Sequence, residues 1–227
     1  MNYFSTIRII IWGCFICYLL QTLFYPVIEN LYALRYIGND NFATIQFVTY
    51  SFLHADPLHL IVNMIMLILF GSKIELFFGK MHTISLFIVG AIGGALFQTI
   101  SNMLIINSHF GTPFPVDTTN DLVGKVLFAL ENGSYINSVF VSHTLGASAS
   151  VFAFMVAFTI LFPHEKFNLV LIPFNISARI FVLVYIVIEF YNAFNSPQFS
   201  MIAHFAHLGG AFFGLVYAYI VKLKYSI

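Results

Sequence analysis

The chain has 227 residues, of which 60% are apolar and only 8% are charged. Soluble domains carry about 25% charged residues, so this composition excludes an ordinary soluble domain and indicates a protein that crosses a membrane several times. The formal net charge is zero, and composition therefore gives no electrostatic reason to expect a nucleic-acid partner. Because a bilayer offers the backbone no hydrogen-bond partners, the crossing segments are predicted to be helices and the fold class to be all-α.

Apolar runs close to the roughly 20 residues that one crossing needs recur along the chain. They predict six spans, at about residues 9–27, 57–78, 83–106, 141–162, 178–193 and 201–221. The whole chain, residues 1–227, is interpreted as a single membrane domain. The first span is interpreted as retained and not as a signal peptide, because no small-residue cleavage site follows it.

Positive charge is distributed unequally between the two predicted sides of the membrane. Six spans place both termini on one side. If that side is the cytoplasm, only Arg35 and Lys125 of the nine Lys and Arg residues lie outside. The positive-inside rule therefore favours cytoplasmic termini. The sequence shows no organelle-targeting extension, and the predicted location is a bacterial plasma membrane.

Four polar side chains on three spans are predicted to lie close to one depth. Counted from the outer end of each span, Ser148 is about seven residues in, Asn63 and His207 about six, and His59 about two. At 1.5 Å per residue, the first three lie roughly 10 Å below the outer surface. Ionisable groups inside a membrane usually mark a functional site, so these four residues form the candidate site.

Each of these residues also has a purely structural interpretation. A serine in a membrane helix commonly bonds to a carbonyl one turn back, and a histidine near a span end is often an interface residue. His59 and Asn63, one turn apart, could simply bridge two helices. Taken singly, the structural interpretation is the commoner one; the shared depth favours a functional site.

Small residues recur every fourth position on spans four and six. They are Ala149, Ala153 and Ala157 on the former, and Ala206, Gly210, Gly214 and Ala218 on the latter. Such spacing lets helix backbones approach closely. Either each face packs against another span, or the two faces meet. In the second case Ser148 and His207 come within hydrogen-bond reach, with Phe152 against the imidazole.

Serine beside histidine is a nucleophile beside a general base. No carboxylate is identified at this depth to orient the imidazole, so a Ser148–His207 dyad is predicted. Backbone N–H groups in the first turn of span four, together with His59 and Asn63, are candidate donors to an oxyanion. His204 is a competing base, and Glu189 is interpreted as a structural, protonated carboxylate. No metal and no cofactor are expected.

Three segments resemble the rhomboid family of intramembrane serine proteases. They are HLIVN at 59–63 with the later Gly71, Glu75 and Gly79, GASA at 146–149, and AHLGG at 206–210 with Gly214. Their order and spacing match the family across residues 50–217. Three departures are Ala149 where the family often has Gly, Phe152 where some members have Tyr, and a first outer loop without the Trp-Arg pair of many members.

The resemblance implies a six-helix rhomboid-like bundle and a protease that cleaves transmembrane helices of single-span or polytopic membrane proteins within the lipid bilayer. It implies that Ser148 is the nucleophile, that His207 is its base, and that His59 and Asn63 help to bind the oxyanion. It also implies that span five and its outer loop admit the substrate from the lipid.

Two other functions are compatible with the same polar layer. One is a catalytically inactive rhomboid-like protein that binds membrane helices; the other is a small transporter or channel. An α/β-hydrolase is excluded, because its Gly-x-Ser-x-Gly elbow needs a strand-turn-helix and position 150 is Ser150.

Overall fold

The computed structural model describes residues 5–113, 143–167, 175–195 and 203–226. Its helices are α1 (Thr6–Leu23), α2 (Val27–Tyr32), α3 (Gln46–Thr49), α4 (Pro57–Phe110), α5 (Ser148–Leu161), α6 (Ala178–Asn195) and α7 (His204–Tyr225). Two-residue strands form two antiparallel pairs, β1 (Leu34–Arg35) with β2 (His143–Thr144) and β3 (Lys166–Phe167) with β4 (Ile176–Ser177). The described part of the chain is therefore essentially helical, as the composition predicts.

Helix α4 is too long to cross a bilayer as one straight rod. Its 54 residues would extend about 80 Å, whereas the apolar layer of a bilayer is about 30 Å thick. Gly79 interrupts it with φ 83° and ψ −179°, a conformation that glycine adopts without steric cost. We call residues 57–78 the first arm and residues 80–110 the second arm. The predicted end of span two at Gly79 coincides with this interruption.

The two arms of α4 run in opposite directions along α5. In the first arm, Gly71 faces Phe154 and the Phe78 ring lies beside that of Phe162, so the contacts move forward along α5. In the second arm, Gly90 faces Ala153 and Gly94 faces Ala149, so they move backward. Helix α5 is thereby enclosed. Its most deeply buried side chains include Phe154 and Met155, both 0% exposed.

Helices α5 and α7 meet along their small residues, as one of the two sequence interpretations predicts. A Cβ built on Gly210 would lie 2.0 Å from the Ala149 carbonyl oxygen, and one built on Gly214 would lie 2.5 Å from Ala153 Cα. Distances this short leave no room for a side chain. The backbones therefore touch where only glycine permits it.

The outside of the bundle is apolar. Four helices of the described residues, α1, α4, α6 and α7, are long and apolar enough to cross a membrane, and α5 is a shorter apolar helix of 14 residues. Large apolar side chains point away from the core, including Trp12, Leu183 and Leu223 at 66, 63 and 80% exposure. This pattern fits lipid as the surrounding solvent. The number of six crossings stays a prediction.

The helices begin and end at residues that differ from the predicted spans. Helix α1 covers Thr6–Leu23 instead of 9–27, and α7 begins at His204 instead of 201. The prediction that span four begins at 141 is wrong for the described residues, since His143 and Thr144 are extended in β2 and α5 begins at Ser148. Residues 141–142 and 201–202 lie outside the described ranges.

This correction changes the position of Ser148 along its helix. It is the first residue of α5 and does not lie about seven residues into the helix. The shared depth of the site residues therefore does not come from equal counts along three helices. It comes from the way the helix starts of α4, α5 and α7 come together at one end of the bundle.

Candidate active site

A tight loop delivers Ser148 to the start of α5. Gly146 has φ 127°, and its N–H donates to the Tyr50 carbonyl at 3.0 Å. A Cβ on Gly146 would lie 2.7 Å from Cε1 of His59. Glycine at this position thus satisfies two demands, a left-handed backbone and close approach to an imidazole. The same loop therefore places His59 beside the residues that precede Ser148.

His207 on α7 is hydrogen-bonded to Ser148 on α5. Its Nε2 lies 2.8 Å from Ser148 Oγ. The ring of Phe152, one turn beyond Ser148, stacks on the imidazole with centroids 4.6 Å apart and planes at 13°. Tyr185 of α6 stacks on Phe152, with centroids 5.3 Å apart and planes at 4°. The expected contact between the hydroxyl and the imidazole, with Phe152 against it, is present.

The expectation that no carboxylate lies beside the imidazole is wrong. Oε2 of Glu189 on α6 lies 2.9 Å from Nδ1 of His207 and 2.6 Å from Nδ1 of His204. His204 therefore binds the carboxylate and does not compete for Ser148. The sequence carried a signal: His204 and His207 are three residues apart, a spacing that places both side chains on one helix face. Its partner on another helix was visible only in three dimensions.

Glu189, His204 and His207 are also a group of the described residues whose composition suits a metal ion. Their ligand atoms all lie within 4.8 Å of one another, and a carboxylate with two imidazoles is a common ligand set. Hydrogen bonds already join the carboxylate oxygen to both Nδ1 atoms. The geometry is accordingly that of N–H donors on one acceptor.

The two residues expected to bind an oxyanion are placed differently from each other. The His59 ring lies against Gly146, as described above, and its backbone N–H is capped by Asp56 Oδ1 at 2.8 Å. Asn63 is 5% exposed, and its side-chain amide donates to the His59 carbonyl at 3.0 Å. In this structure the Asn63 amide thus bonds one turn back within its own helix.

Backbone donors are available at the start of α5. The first helical bond runs from Val151 N to the Ala147 carbonyl at 2.9 Å. The N–H groups of Ser148 and Ala149 precede it, and the first turn of a helix supplies no acceptor to such groups. These donors lie at the nucleophile itself, where an oxyanion forms during attack on a carbonyl.

His54 is a site residue that the sequence reasoning missed. It is fully buried, and its Nε2 accepts a long bond of 3.4 Å from the N–H of Ala147. Gln21 holds its backbone through two bonds of 3.1 and 3.0 Å. Burial, with a smaller contribution from His59, lowers the pKa of His54 to about 3. It is therefore a neutral hydrogen-bond acceptor for the loop that carries Ser148. Its position before Pro57, outside any predicted span, is why it was passed over.

Comparison with known proteins identifies related chains. The sequence model of a family described as Rhomboid domain matches residues 41–224. "Rhomboid protein 1, mitochondrial" of Saccharomyces cerevisiae is 25% identical over 173 residues, which are 76% of this chain and 40% of that protein. "Rhomboid-like protein 16, chloroplastic" of Arabidopsis thaliana is 34% identical over 80 residues, which are 35% of this chain and 25% of that protein. The chain thus spans less than half the length of either relative.

Proposed function

The chain belongs to the rhomboid family, and from that premise we propose that it is an intramembrane serine endopeptidase that cleaves transmembrane helices of membrane proteins. The observation that carries the proposal is the 2.8 Å contact between Ser148 Oγ and His207 Nε2. It joins a nucleophile on one helix to a base on another. Both lie in an integral membrane protein, so the peptide bonds within reach belong to segments that enter the membrane.

The proposed reaction is an acyl transfer in two steps. Ser148 Oγ attacks the carbonyl carbon of the scissile bond while its proton passes to Nε2 of His207. The C–N bond then breaks, and the leaving amine takes that proton. Water then attacks the acyl-enzyme while its proton passes to His207. The ester C–O bond breaks, His207 returns that proton to Ser148 Oγ, and the carboxylic acid product leaves, which restores the serine. The reaction requires neither a metal nor a cofactor.

The N–H groups of Ser148 and Ala149 are proposed to stabilise the oxyanion, with the His59 side chain as a third donor. His59 lies against Gly146, two residues before the nucleophile. The Asn63 amide has two N–H donors; one is used by the His59 carbonyl, and the other is proposed as a further donor to the oxyanion. Each well-placed donor of this kind contributes about 3–4 kcal/mol to stabilising the transition state.

Substrate is proposed to enter from the lipid beside α6. This helix is the least enclosed of the long helices, with 17% of its apolar window buried. Besides the hydrogen bonds of Glu189, it contacts the bundle through aromatic rings, with Phe181 stacked on Phe70 of α4 at 6.4 Å and Tyr185 on Phe152 of α5 at 5.3 Å. The peptide bonds of an intact helix are shielded from attack. Cleavage is therefore expected where the substrate has small or helix-breaking residues.

The protein is integral to a membrane. That this is a bacterial plasma membrane, with both termini in the cytoplasm, stays a prediction from the charge distribution. The two relatives named above carry mitochondrial and chloroplastic names, and those locations belong to the relatives.

The decisive experiment incubates the purified protein in proteoliposomes with a panel of tagged single-span membrane proteins. We expect wild type to cleave at least one of them, and Ser148→Ala and His207→Ala to cleave none at a detectable rate, because each removes a partner of the same proton transfer. The readouts are the cleavage products on a gel and labelling by a fluorophosphonate probe, which reacts with an activated serine.

Three outcomes would contradict the proposal. Cleavage that persists in Ser148→Ala would exclude this residue as the nucleophile. A folded wild type that neither cleaves nor takes the probe would favour instead the catalytically inactive, helix-binding member of the family. Flux of small solutes through liposomes that survives Ser148→Ala would favour the transporter or channel.

A further inference from the structure

The carboxylate of Glu189 is an unusual group to find inside a membrane bundle. It is 5% exposed on α6, and among the described residues neither Lys nor Arg is paired with it. A charge in such a place is costly unless several donors satisfy it. The structure provides two, both imidazole Nδ1 atoms of α7, at 2.6 and 2.9 Å. A group kept at such a cost is a candidate for function.

These hydrogen bonds determine which nitrogen of His207 carries the proton. A carboxylate oxygen accepts and cannot donate, so the Nδ1 of each imidazole bears the hydrogen. Nε2 of His207 is then the atom with the free electron pair, and it is this atom that faces Ser148 Oγ at 2.8 Å. The serine therefore donates to His207, and His207 donates to Glu189. This is the protonation pattern that the first step of the proposed reaction requires.

We propose that Glu189 is a positioning residue of the protease, which holds His207 in the reactive tautomer and stabilises its imidazolium, and that His204 is a second donor that fixes this carboxylate. The inference rests on the proposed function. It extends the predicted dyad to three groups from three helices: Ser148 on α5, His207 on α7 and Glu189 on α6. The arrangement forms only while α6 lies against α7, because Glu189 belongs to α6 and His207 to α7. Helix α6 is also the helix beside which the substrate is proposed to enter.

A structural role is the alternative, in which Glu189 merely ties α6 to α7. The two roles differ in which step of the reaction they affect. A tie affects folding and substrate entry, whereas a positioning carboxylate affects the chemical step and the proton affinity of the base. The other titratable groups of the described residues that face this pair are His204, Tyr185 of α6 and His59 of α4.

The test compares wild type, Glu189→Gln and a matched control, Glu75→Gln. Glu75 is a carboxylate near the opposite end of the bundle, where it accepts from the Ser5 hydroxyl at 2.6 Å, and its exchange removes the same charge far from Ser148. We expect Glu189→Gln to lower kcat by about 10²–10⁴-fold, as the loss of a tautomer-fixing carboxylate does, and to slow fluorophosphonate labelling by a similar factor. KM should change less than about threefold. Glu75→Gln should retain the wild-type kcat.

The pH profile is a second readout. The neutral amide of Gln stabilises an imidazolium less than the carboxylate of Glu189 does. The acidic limb of kcat/KM in Glu189→Gln is therefore expected at lower pH than in wild type. Glu189→Asp keeps the charge but shortens its reach, so its kcat falls while the acidic limb moves less. Asn places an amide N–H near the position of a histidine Nδ1, and His204→Asn should therefore retain more activity than His204→Leu.

The outcomes separate this inference from the function on which it rests. If Ser148→Ala is inactive while Glu189→Gln keeps the wild-type kcat and pH profile, Glu189 does not position the base, and the protease proposal stands. If wild type itself neither cleaves nor is labelled, the proposed function fails first. Should Glu189→Gln not fold, as judged by its melting temperature, Glu189→Asp decides: an unchanged kcat overturns the inference and a lowered kcat with unchanged KM supports it.

Discussion

Two residues determine the conformation of the loop before Ser148. Gly146 gives the loop its left-handed turn and its closeness to His59, and His54 accepts a hydrogen bond from the N–H of Ala147. His54 can do so only while it is neutral, because a protonated imidazole has no lone pair to offer. The low pKa of about 3 that burial imposes on it keeps it in that form across the physiological range. The position of the nucleophile is thus insulated from moderate acidification.

This arrangement predicts how stability depends on pH. The folded pKa of His54 lies below its ordinary value of 6.5, so the unfolded state binds the extra proton. Its contribution is complete above about pH 6.5 and is lost as pH falls toward 3, by at most about 1.4 kcal/mol per pH unit. His54→Gln, which keeps an acceptor but does not titrate, should show a weaker loss of melting temperature between pH 7 and pH 4.5.

The control for this measurement is His164→Gln, since His164 is exposed. Melting curves of the three proteins in detergent micelles give the slopes. Equal slopes for wild type and His54→Gln would show that His54 does not carry the pH dependence.

At the scale of the helix, the contact between α5 and α7 decides whether Ser148 and His207 can meet. Gly210 lies against the backbone of Ala149, the residue that follows the nucleophile, and Gly214 lies against Ala153 one turn on. A side chain at either position would meet backbone atoms, which cannot swing aside. The dispersion contacts of two touching backbones take the place that a hydrophobic effect would have in water.

Gly210→Ala is therefore expected to destabilise the protein by about 1–3 kcal/mol and to lower kcat, because α7 must shift away from α5 and carries His207 with it. Gly13→Ala is the matched control. Its Cβ would find Phe52 at 3.6 Å, which is ordinary contact, and alanine stabilises a helix interior by about 0.5–1 kcal/mol relative to glycine. Denaturant titration and the cleavage assay measure both effects; a Gly210→Ala protein as stable and active as wild type would refute the argument.

At the scale of the whole molecule, the bundle has two chemically different ends. Ser148, His59 and His204 lie where α5, α4 and α7 begin. At the other end, Tyr225 packs on Phe78 with centroids 5.7 Å apart. The start of α1 is bonded there as well, since Glu75 accepts from Ser5 and from the N–H of Ile7. Both described chain ends therefore lie at the end of the bundle opposite the site.

Most of the cations follow the same division. Lys80, Lys222 and Lys224 lie at the end where Phe78 packs on Tyr225, and Lys73 forms an ion pair with Glu165 on that side. The positive-inside rule therefore predicts that this end faces the cytoplasm and that the site lies toward the outer face.

The orientation is testable by labelling in spheroplasts with a membrane-impermeant maleimide. Both native cysteines, Cys14 and Cys17, are first replaced by alanine. Asp40→Cys should then be labelled from outside, because Asp40 is exposed and follows β1, the strand that pairs with β2 just before the loop of Ser148. Lys224→Cys, the matched position at the other end, should be labelled only after permeabilisation. The reverse pattern would overturn the predicted orientation, though not the chemistry of the site.

Much of the architecture follows from local sequence. Apolar runs predict helices, because in a bilayer the backbone must form its hydrogen bonds within each segment. Gly79 predicts an interruption, because glycine adopts backbone conformations that end a helix. Likewise, the small-residue spacing of Ala149, Gly210 and Gly214 predicts a close helix contact, because only small side chains permit one. The start of α5 was predicted too early because residues 143–147 are apolar enough for a helix. His143 and Thr144 instead pair with β1, and the left-handed Gly146 bonds to Tyr50, so segments far earlier in the chain decide where α5 begins.

The sequence by itself determined that this chain is a helical membrane protein and that Ser148 and His207 are the residues to bring together. It could do so because composition, periodicity and short motifs are local properties. Only the tertiary structure decided that Glu189 faces both imidazoles and that His54 supports the loop of the nucleophile. Those contacts join groups 15 to 93 residues apart, and a hydrogen bond depends on where atoms lie in space, which no spacing along one helix records.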